Sequence, residues 1–230
     1  FSYPEQANPA LNGLNFTVKP GEKVGIIGKI GSGKTTIGRL LAALYDVQEG
    51  AVLIDGVDIR QLHPHDVRRS IGVVNQDSDL FFGTLRDNLI MGNPTATDEE
   101  LLQAARLAGV DDFAQRHPAG YDMPVGERGG LLSGGQRQAV ALARVLLLNP
   151  KVVFLDEPSG SMDMASERLL IKNLKRALRP DQTIMVSTHR YSMLELVDRL
   201  IVLADGKIAA DGPKEQVLDA LKARLAEQRG

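Results

Sequence analysis

Hydrophobic positions along this chain follow two rhythms. Short continuous apolar runs, "KVGIIG" (23–28), "KVVFLDE" (151–157), "TIMVST" (183–188) and "RLIVLADG" (199–206), predict strands buried on both faces. Elsewhere the apolar residues recur at helical spacing: Ile37, Leu40, Leu41 and Leu44 after the first run, and Val217, Leu218, Leu221 and Leu225 in the tail. From Thr84 to about Leu148 the pattern is mostly helical, broken by "MGNPTATDEE" and "HPAGYDMPVGERGG". Thr97, with Glu100 three residues on, predicts a capping box that opens the helix "EELLQAARLAG". Asp-Gly pairs within "AVLIDGVDI" (51–59) and "ADGKIAADG" (204–212) predict hairpin turns. Buried strands alternating with helices predict an α/β fold whose mostly parallel sheet is covered on both faces.

Composition narrows the function. The 230 residues suffice for one large α/β domain or two small ones. With 27 basic and 29 acidic residues the net charge is −2, which argues against a dedicated nucleic-acid binder. There is no cysteine, hence no disulfide framework and no thiolate metal site. No apolar run reaches the roughly 18 residues a membrane span needs, and the residues given do not lead one to expect a signal peptide among them. The sequence opens at Phe1 without a methionine, so it is expected to be part of a longer chain.

The run "KVGIIG" leads into "GKIGSGKTT" (28–36), which satisfies G-x-x-x-x-G-K-[ST] between an expected strand and an expected helix. Glycines allow backbone to approach phosphate closely, and the N–H groups of a helix N-terminus donate to it. The candidate nucleotide contacts are Gly28, Lys29, Ile30, Gly31, Ser32, Gly33, Lys34, Thr35 and Thr36. Lys34 suits the β- and γ-phosphates, and the Thr35 hydroxyl suits Mg²⁺.

A second strand ends in adjacent acids. Asp156 suits Mg²⁺ through water, and Glu157 suits the general base that orients an attacking water. His189 ends the run "TIMVST" on the same expected side, where it could meet the γ-phosphate. Gln76, after "IGVV", could reach Mg²⁺ or that water. His63, His65 and His117 fall in expected loops without a ligand cluster and read as surface residues.

"LLSGGQRQ" (131–138) raises a further question, because Ser133, Gly134, Gly135 and Gln136 form another anion-binding helix start far along the chain from Lys34. A helical region separates the two loops, so one copy cannot readily place both on one nucleotide. Two copies packed head to tail could, with ATP between the lysine loop of one and the serine loop of the other. The plainer alternative for "LSGGQ" is an ordinary helix cap.

Taken together, "GKIGSGKTT", "LSGGQRQ", "VVFLDEPS" and "STHR" resemble the nucleotide-binding domain of an ATP-binding-cassette transporter over essentially the whole chain. That resemblance implies a P-loop NTPase (RecA-like) core formed by 1–76 and 149–230, with an antiparallel β subdomain and an inserted helical subdomain at 77–148. It implies an ATPase using ATP and Mg²⁺, working as a homodimer at the cytoplasmic face of a bacterial inner membrane. Tyr3, in "FSYP", matches the aromatic residue that stacks on adenine; its place alone reads as a terminal strand residue. Gln76 matches the glutamine linking Mg²⁺ to the membrane domain, His189 the switch histidine and Asp163, in "SGSMD", the loop that crosses the dimer. The Gln76–Leu85 region and the Glu127 loop, in "VGERGG", match surfaces that meet the membrane domain. Phe81 and Phe82 are candidate contacts there, with burial in the core as the alternative.

The stretch "HPAGYDMPVGERGGLLSGGQRQAVALARVLL" resembles bacterial type I secretion exporters, which implies a large protein cargo, a periplasmic adaptor and an outer-membrane channel. Other exporter classes, for lipids, peptides or drugs, share the remaining motifs. Relatives acting on DNA insert long coiled coils between the two loops, and no sustained heptads occur here. Ribosome-associated relatives usually carry two such cassettes. Three positions depart from the family pattern: Asn75 where proline is common, Gly160 where serine is usual and Met162 where leucine is usual.

Overall fold

The computed structural model describes residues 1–227 except 5, 7, 77 and 161, with side chains described up to residue 224. In chain order the elements begin with β1 (Lys23–Gly28), α1 (Lys34–Leu41), β2 (Leu53–Ile54), β3 (Val57–Asp58), α2 (Pro64–Ser70) and β4 (Ile71–Val74). A helical stretch follows: α3 (Leu85–Ile90), α4 (Asp98–Ala108), α5 (Asp111–Ala114) and α6 (Gly134–Leu148). The chain then alternates through β5 (Val152–Asp156), α7 (Met164–Ala177), β6 (Thr183–Ser187), β7 (Arg199–Ala204), β8 (Lys207–Pro213) and α8 (Lys214–Glu227).

Six strands form one sheet in the order β4-β5-β6-β1-β7-β8, parallel throughout except for β8. Strand side chains point alternately to opposite faces, so continuous apolar runs supply two cores at once. On one face Val153, Leu155, Ile184, Val186 and Leu200 join residues of the helical stretch. On the other, Phe154, Met185, Ile201, Val24 and Ile26 pack with Ile37 and Leu40 of α1. Gly38 lets α1 lie directly on the sheet, because a Cβ there would stand 2.6 Å from Phe154 Cε1.

Both expected hairpins form, with Asp55 and Gly56 at φ 50° and 80°, and Asp205 and Gly206 at φ 50° and 71°. Two consecutive positive φ values are what the tight hairpin turn requires. The capping box at Thr97 and Glu100 is present, and a second one, Thr84 with Asp87, opens α3.

Several expectations need correction. Helix α1 stops at Leu41, so Leu44 falls beyond it and is exposed. His65 lies in the first turn of α2 rather than in a loop, and His63 caps that helix through its ring nitrogen. Tyr3 belongs to no strand. In α8, Val217 is buried, with Leu218 and Leu221 packed against the same core; the Leu225 side chain lies outside the described residues. Among the described residues no helix is long and apolar enough to cross a membrane.

Candidate functional site

Parallel strands share a carboxyl edge, and four candidate segments leave the sheet along it. From β4 comes Gln76, from β5 Asp156 and Glu157, from β6 His189 and from β1 the loop bearing Lys34. The strand order reverses here, β1 lying between β6 and β7, which is where open α/β sheets leave a crevice. Backbone bonds fix the register, with Glu157 N–H donating to the Ser187 carbonyl at 2.9 Å and Thr188 N–H to the Ile26 carbonyl at 3.1 Å.

The 28–36 loop turns into α1 through Gly33, whose φ of 103° an L side chain resists. Lys34 Nζ is buried and donates to the carbonyls of Gly28 (2.9 Å) and Lys29 (3.2 Å), 3.8 Å from Glu157 Oε1. Ser32 Oγ is the one buried side-chain polar atom among the described residues without a hydrogen-bond partner. A buried hydroxyl left without a partner in a glycine-rich strand-to-helix loop fits an external anion such as phosphate. Thr35 is half-buried, and Ile30 projects almost fully into solvent.

Glu157 is 8% exposed and has φ 45°, a left-handed conformation that costs a non-glycine residue about 1–3 kcal/mol. That turn carries its carboxylate away from the sheet, toward Lys34 and toward His189, whose Nδ1 stands 2.8 Å from Oε2. The His189 backbone N–H reaches the same oxygen at 3.3 Å. Asp156 is buried and accepts a hydrogen bond from the Ser187 hydroxyl. No cluster of three or more His, Cys, Asp or Glu ligands occurs among the described residues. A single carboxylate near a hydroxyl suits Mg²⁺, which keeps waters and relies on substrate phosphates for the rest of its shell.

Tyr3 is half-buried against the start of α1. Its hydroxyl pairs with Thr36 Oγ1 at 3.0 Å and accepts from Arg39 Nη1 at 3.1 Å, and its ring meets Phe1 and Tyr45 edge-on.

Ser133 caps α6 in a full capping box. Its Oγ accepts from Gln136 N–H (3.2 Å), and Gln136 Oε1 accepts from Ser133 N–H (2.8 Å). Ser133 is exposed, and no hydrogen bond joins its loop to the 28–36 loop among the described residues. Asp163 is likewise an exposed cap, for α7. Its Oδ1 accepts from the N–H groups of Ala165 and Ser166, each at 2.8 Å. The Ser166 N–H, then the Ser166 hydroxyl, hold the Asp163 carboxyl below its ordinary range. Gly134 and Gly135 form the first residues of α6.

Gln76 is exposed, and residues beside it are tied to the serine-bearing helix by Gln138, a contact the sequence reading missed. The buried Gln138 amide donates to the Asn75 carbonyl (3.3 Å) and accepts from the Ser78 hydroxyl (3.1 Å). Phe81 and Phe82 are 61% and 87% exposed, so the core alternative fails for both. Their loop pairs with the segment before Glu127, since Val125 N–H donates to the Gly83 carbonyl (3.0 Å) and Leu85 N–H to the Met123 carbonyl (2.9 Å). Glu127 itself is exposed.

The sequence profile of the family described as "ABC transporter" matches residues 11–160. The chain is 42% identical over 220 residues to ABC transporter B family member 4 of Dictyostelium discoideum, covering 95% of this chain and 29% of that protein. It is 38% identical over 218 residues to a putative multidrug export ATP-binding/permease protein of Staphylococcus aureus, covering 95% of this chain and 38% of that one. A solved structure of a bacterial Atm1-family ABC exporter with ATP bound superimposes with TM-score 0.90 at 37% identity, over 99% of this chain and 40% of that chain. The chain thus spans well under half the length of these relatives. It belongs to the ABC transporter family.

Proposed function

We propose that the chain binds MgATP between two head-to-tail copies, hydrolyses it and drives an exporter from the cytoplasmic face of a membrane. The observation carrying this reading is the meeting of Lys34, Glu157 and His189 at one edge of the sheet, beside the unpartnered Ser32 hydroxyl. Lys34 and the loop N–H groups hold the phosphates. Tyr3 stacks on adenine, and its links to Thr36 and Arg39 orient its ring. Thr35, Gln76 and, through water, Asp156 would hold Mg²⁺, which would neutralise phosphate charge. Glu157 orients and deprotonates the attacking water. His189, held through Nδ1, presents its other nitrogen to the γ-phosphate.

The exposed Ser133 cap completes the site from the partner copy, and Asp163 crosses the same interface. The core is assigned to 1–76 and 149–230 and the helical insert to 77–148. Because the two loops around Phe82 and Glu127 are paired, they form one surface for the membrane domain. We read the cargo as that of a general exporter, in keeping with the names of the S. aureus and Atm1-family relatives. A second reading, export of a large protein through an adaptor and outer-membrane channel, rests on the 117–147 stretch.

Lys34→Ala tests the reading. Nucleotide titration and phosphate release should show both binding and turnover lost. Retained ATP affinity would remove the 28–36 loop from the site.

A further inference from the structure

A half-buried ion pair ties the edge of this site to the loop proposed to face the second copy. Glu167, in the first turns of α7, is only 6% exposed. One of its oxygens accepts from Arg190 Nη1 and the other from the Ser192 hydroxyl. The Arg190 guanidinium spreads further: Nη1 donates to the Met162 carbonyl at 3.1 Å and Nη2 to the Gly160 carbonyl at 3.3 Å. Its backbone N–H donates to Thr188 Oγ1 at 3.0 Å.

These contacts close a ring. Gly160 N–H donates to the Glu157 carbonyl at 3.0 Å, Arg190 grips Gly160, and His189, next to Arg190, stands against the Glu157 carboxylate. Asp163 follows Met162 directly, so the same guanidinium holds the approach to the α7 cap. A packed apolar pair would stabilise a fold as well as an ion pair does; what the ion pair adds is defined geometry, through the planar fork of arginine.

We propose that the Glu167–Arg190 pair is a positioning device that holds the Gly160 and Met162 carbonyls and the His189 segment in one fixed arrangement, so that nucleotide contact at one site of the dimer is passed to the other. The inference rests on the head-to-tail dimer proposed above, in which His189 of one copy serves its own nucleotide while Asp163 reaches the opposite half. Neither Glu167 nor Arg190 touches substrate. Both act through the backbone they hold.

The test is the rate of ATP hydrolysis by the 230-residue chain against MgATP concentration. The unaltered chain should give a sigmoidal curve with a Hill coefficient above 1, bounded at about 2 by its two sites. Glu167→Gln and Arg190→Lys should bring the coefficient to about 1 and lower kcat about tenfold or more through misplacement of the reacting groups. Glu167→Asp, which keeps the charge, should recover part of both. Ser192→Ala keeps the ion pair and removes one contact, so it should shift both quantities the same way by less, and it serves where Glu167→Gln does not fold. Folded variants with the unaltered Hill coefficient overturn the proposal, whether or not kcat falls, because lost stability alone lowers rate without removing cooperativity. An unaltered chain that hydrolyses ATP without cooperativity overturns it too and leaves the ATPase reading standing. An unaltered chain that neither hydrolyses ATP nor dimerises overturns both.

Discussion

Glu157→Gln is the substitution from which the proposed chemistry can be measured most cleanly. The two side chains have the same size, so the turn at φ 45° and the surrounding packing should persist. The lost charge faces Lys34 at 3.8 Å and the His189 ring at 2.8 Å. At an effective dielectric near 20 the attraction to Lys34 amounts to about 4 kcal/mol gross, most of it offset by the cost of burying both charges. Glu157→Gln leaves the Lys34 ammonium buried without its counter-ion, a loss of up to about 3–5 kcal/mol that its bonds to the Gly28 and Lys29 carbonyls reduce, and urea midpoints measure that. Turnover of the folded chain should respond independently of that loss. Removing a general base lowers the rate by about 10²–10⁴, equivalent to roughly 3–5 kcal/mol of barrier. Single-turnover phosphate release at saturating MgATP gives the rate, and nucleotide titration gives the affinity. Affinity should stay near that of the unaltered chain while turnover collapses. A Glu157→Gln chain that hydrolyses ATP at the normal rate would refute the assignment, and proton removal would have to be sought elsewhere.

Two further outcomes follow from packing and capping. Gly38→Ala places a methyl group 2.6 Å from Phe154 Cε1 and 2.8 Å from Cδ1, in a residue with no exposed surface. Overpacking should cost about 1–3 kcal/mol despite the roughly 1 kcal/mol that alanine gains in helix propensity; a raised urea midpoint would contradict it. The carboxyls of Asp87, Glu100 and Asp163 are each held low, first by the backbone N–H of Thr84, Thr97 and Ser166 respectively. Depressed folded values mean that their contribution is complete above the ordinary range, 3.8 for Asp and 4.5 for Glu, and is lost as pH falls through the lower folded values. Urea midpoints should be flat above that range and fall below it, less steeply in Asp163→Asn; equal slopes in the two proteins would exclude Asp163 from the effect.

Much of the architecture could be read from local pattern, because each feature depended on a few adjacent residues. The Asp-Gly hairpins, the Thr97–Glu100 box and the strands buried on both faces are of this kind. Helix α2 was not legible, being short and opened by a histidine cap rather than Ser, Thr, Asp or Asn. Leu44 kept the helical period beyond the point where α1 ends, since periodicity carries no stop signal of its own. Strand order is absent from any local pattern, yet that order is what brings Gln76, Glu157, His189 and Lys34 to one edge. Motif spacing named those side chains without revealing that His189 and Lys34 both face Glu157. Gln138, Glu167 and Arg190 were invisible for the same reason: each is an ordinary polar residue whose partner lies far away in sequence.

The proposed function depends on two copies closing around ATP, and the absence of cysteine from the 230 residues makes that directly measurable. Ile30, 97% exposed, and Leu131, 66% exposed, flank the lysine and serine loops. Chains carrying Ile30→Cys and chains carrying Leu131→Cys, both in the Glu157→Gln background, are mixed and oxidised with or without MgATP. A disulfide between unlike chains should form with MgATP and not without it. Monomers at high concentration with MgATP present, or no cross-link under either condition, would contradict it.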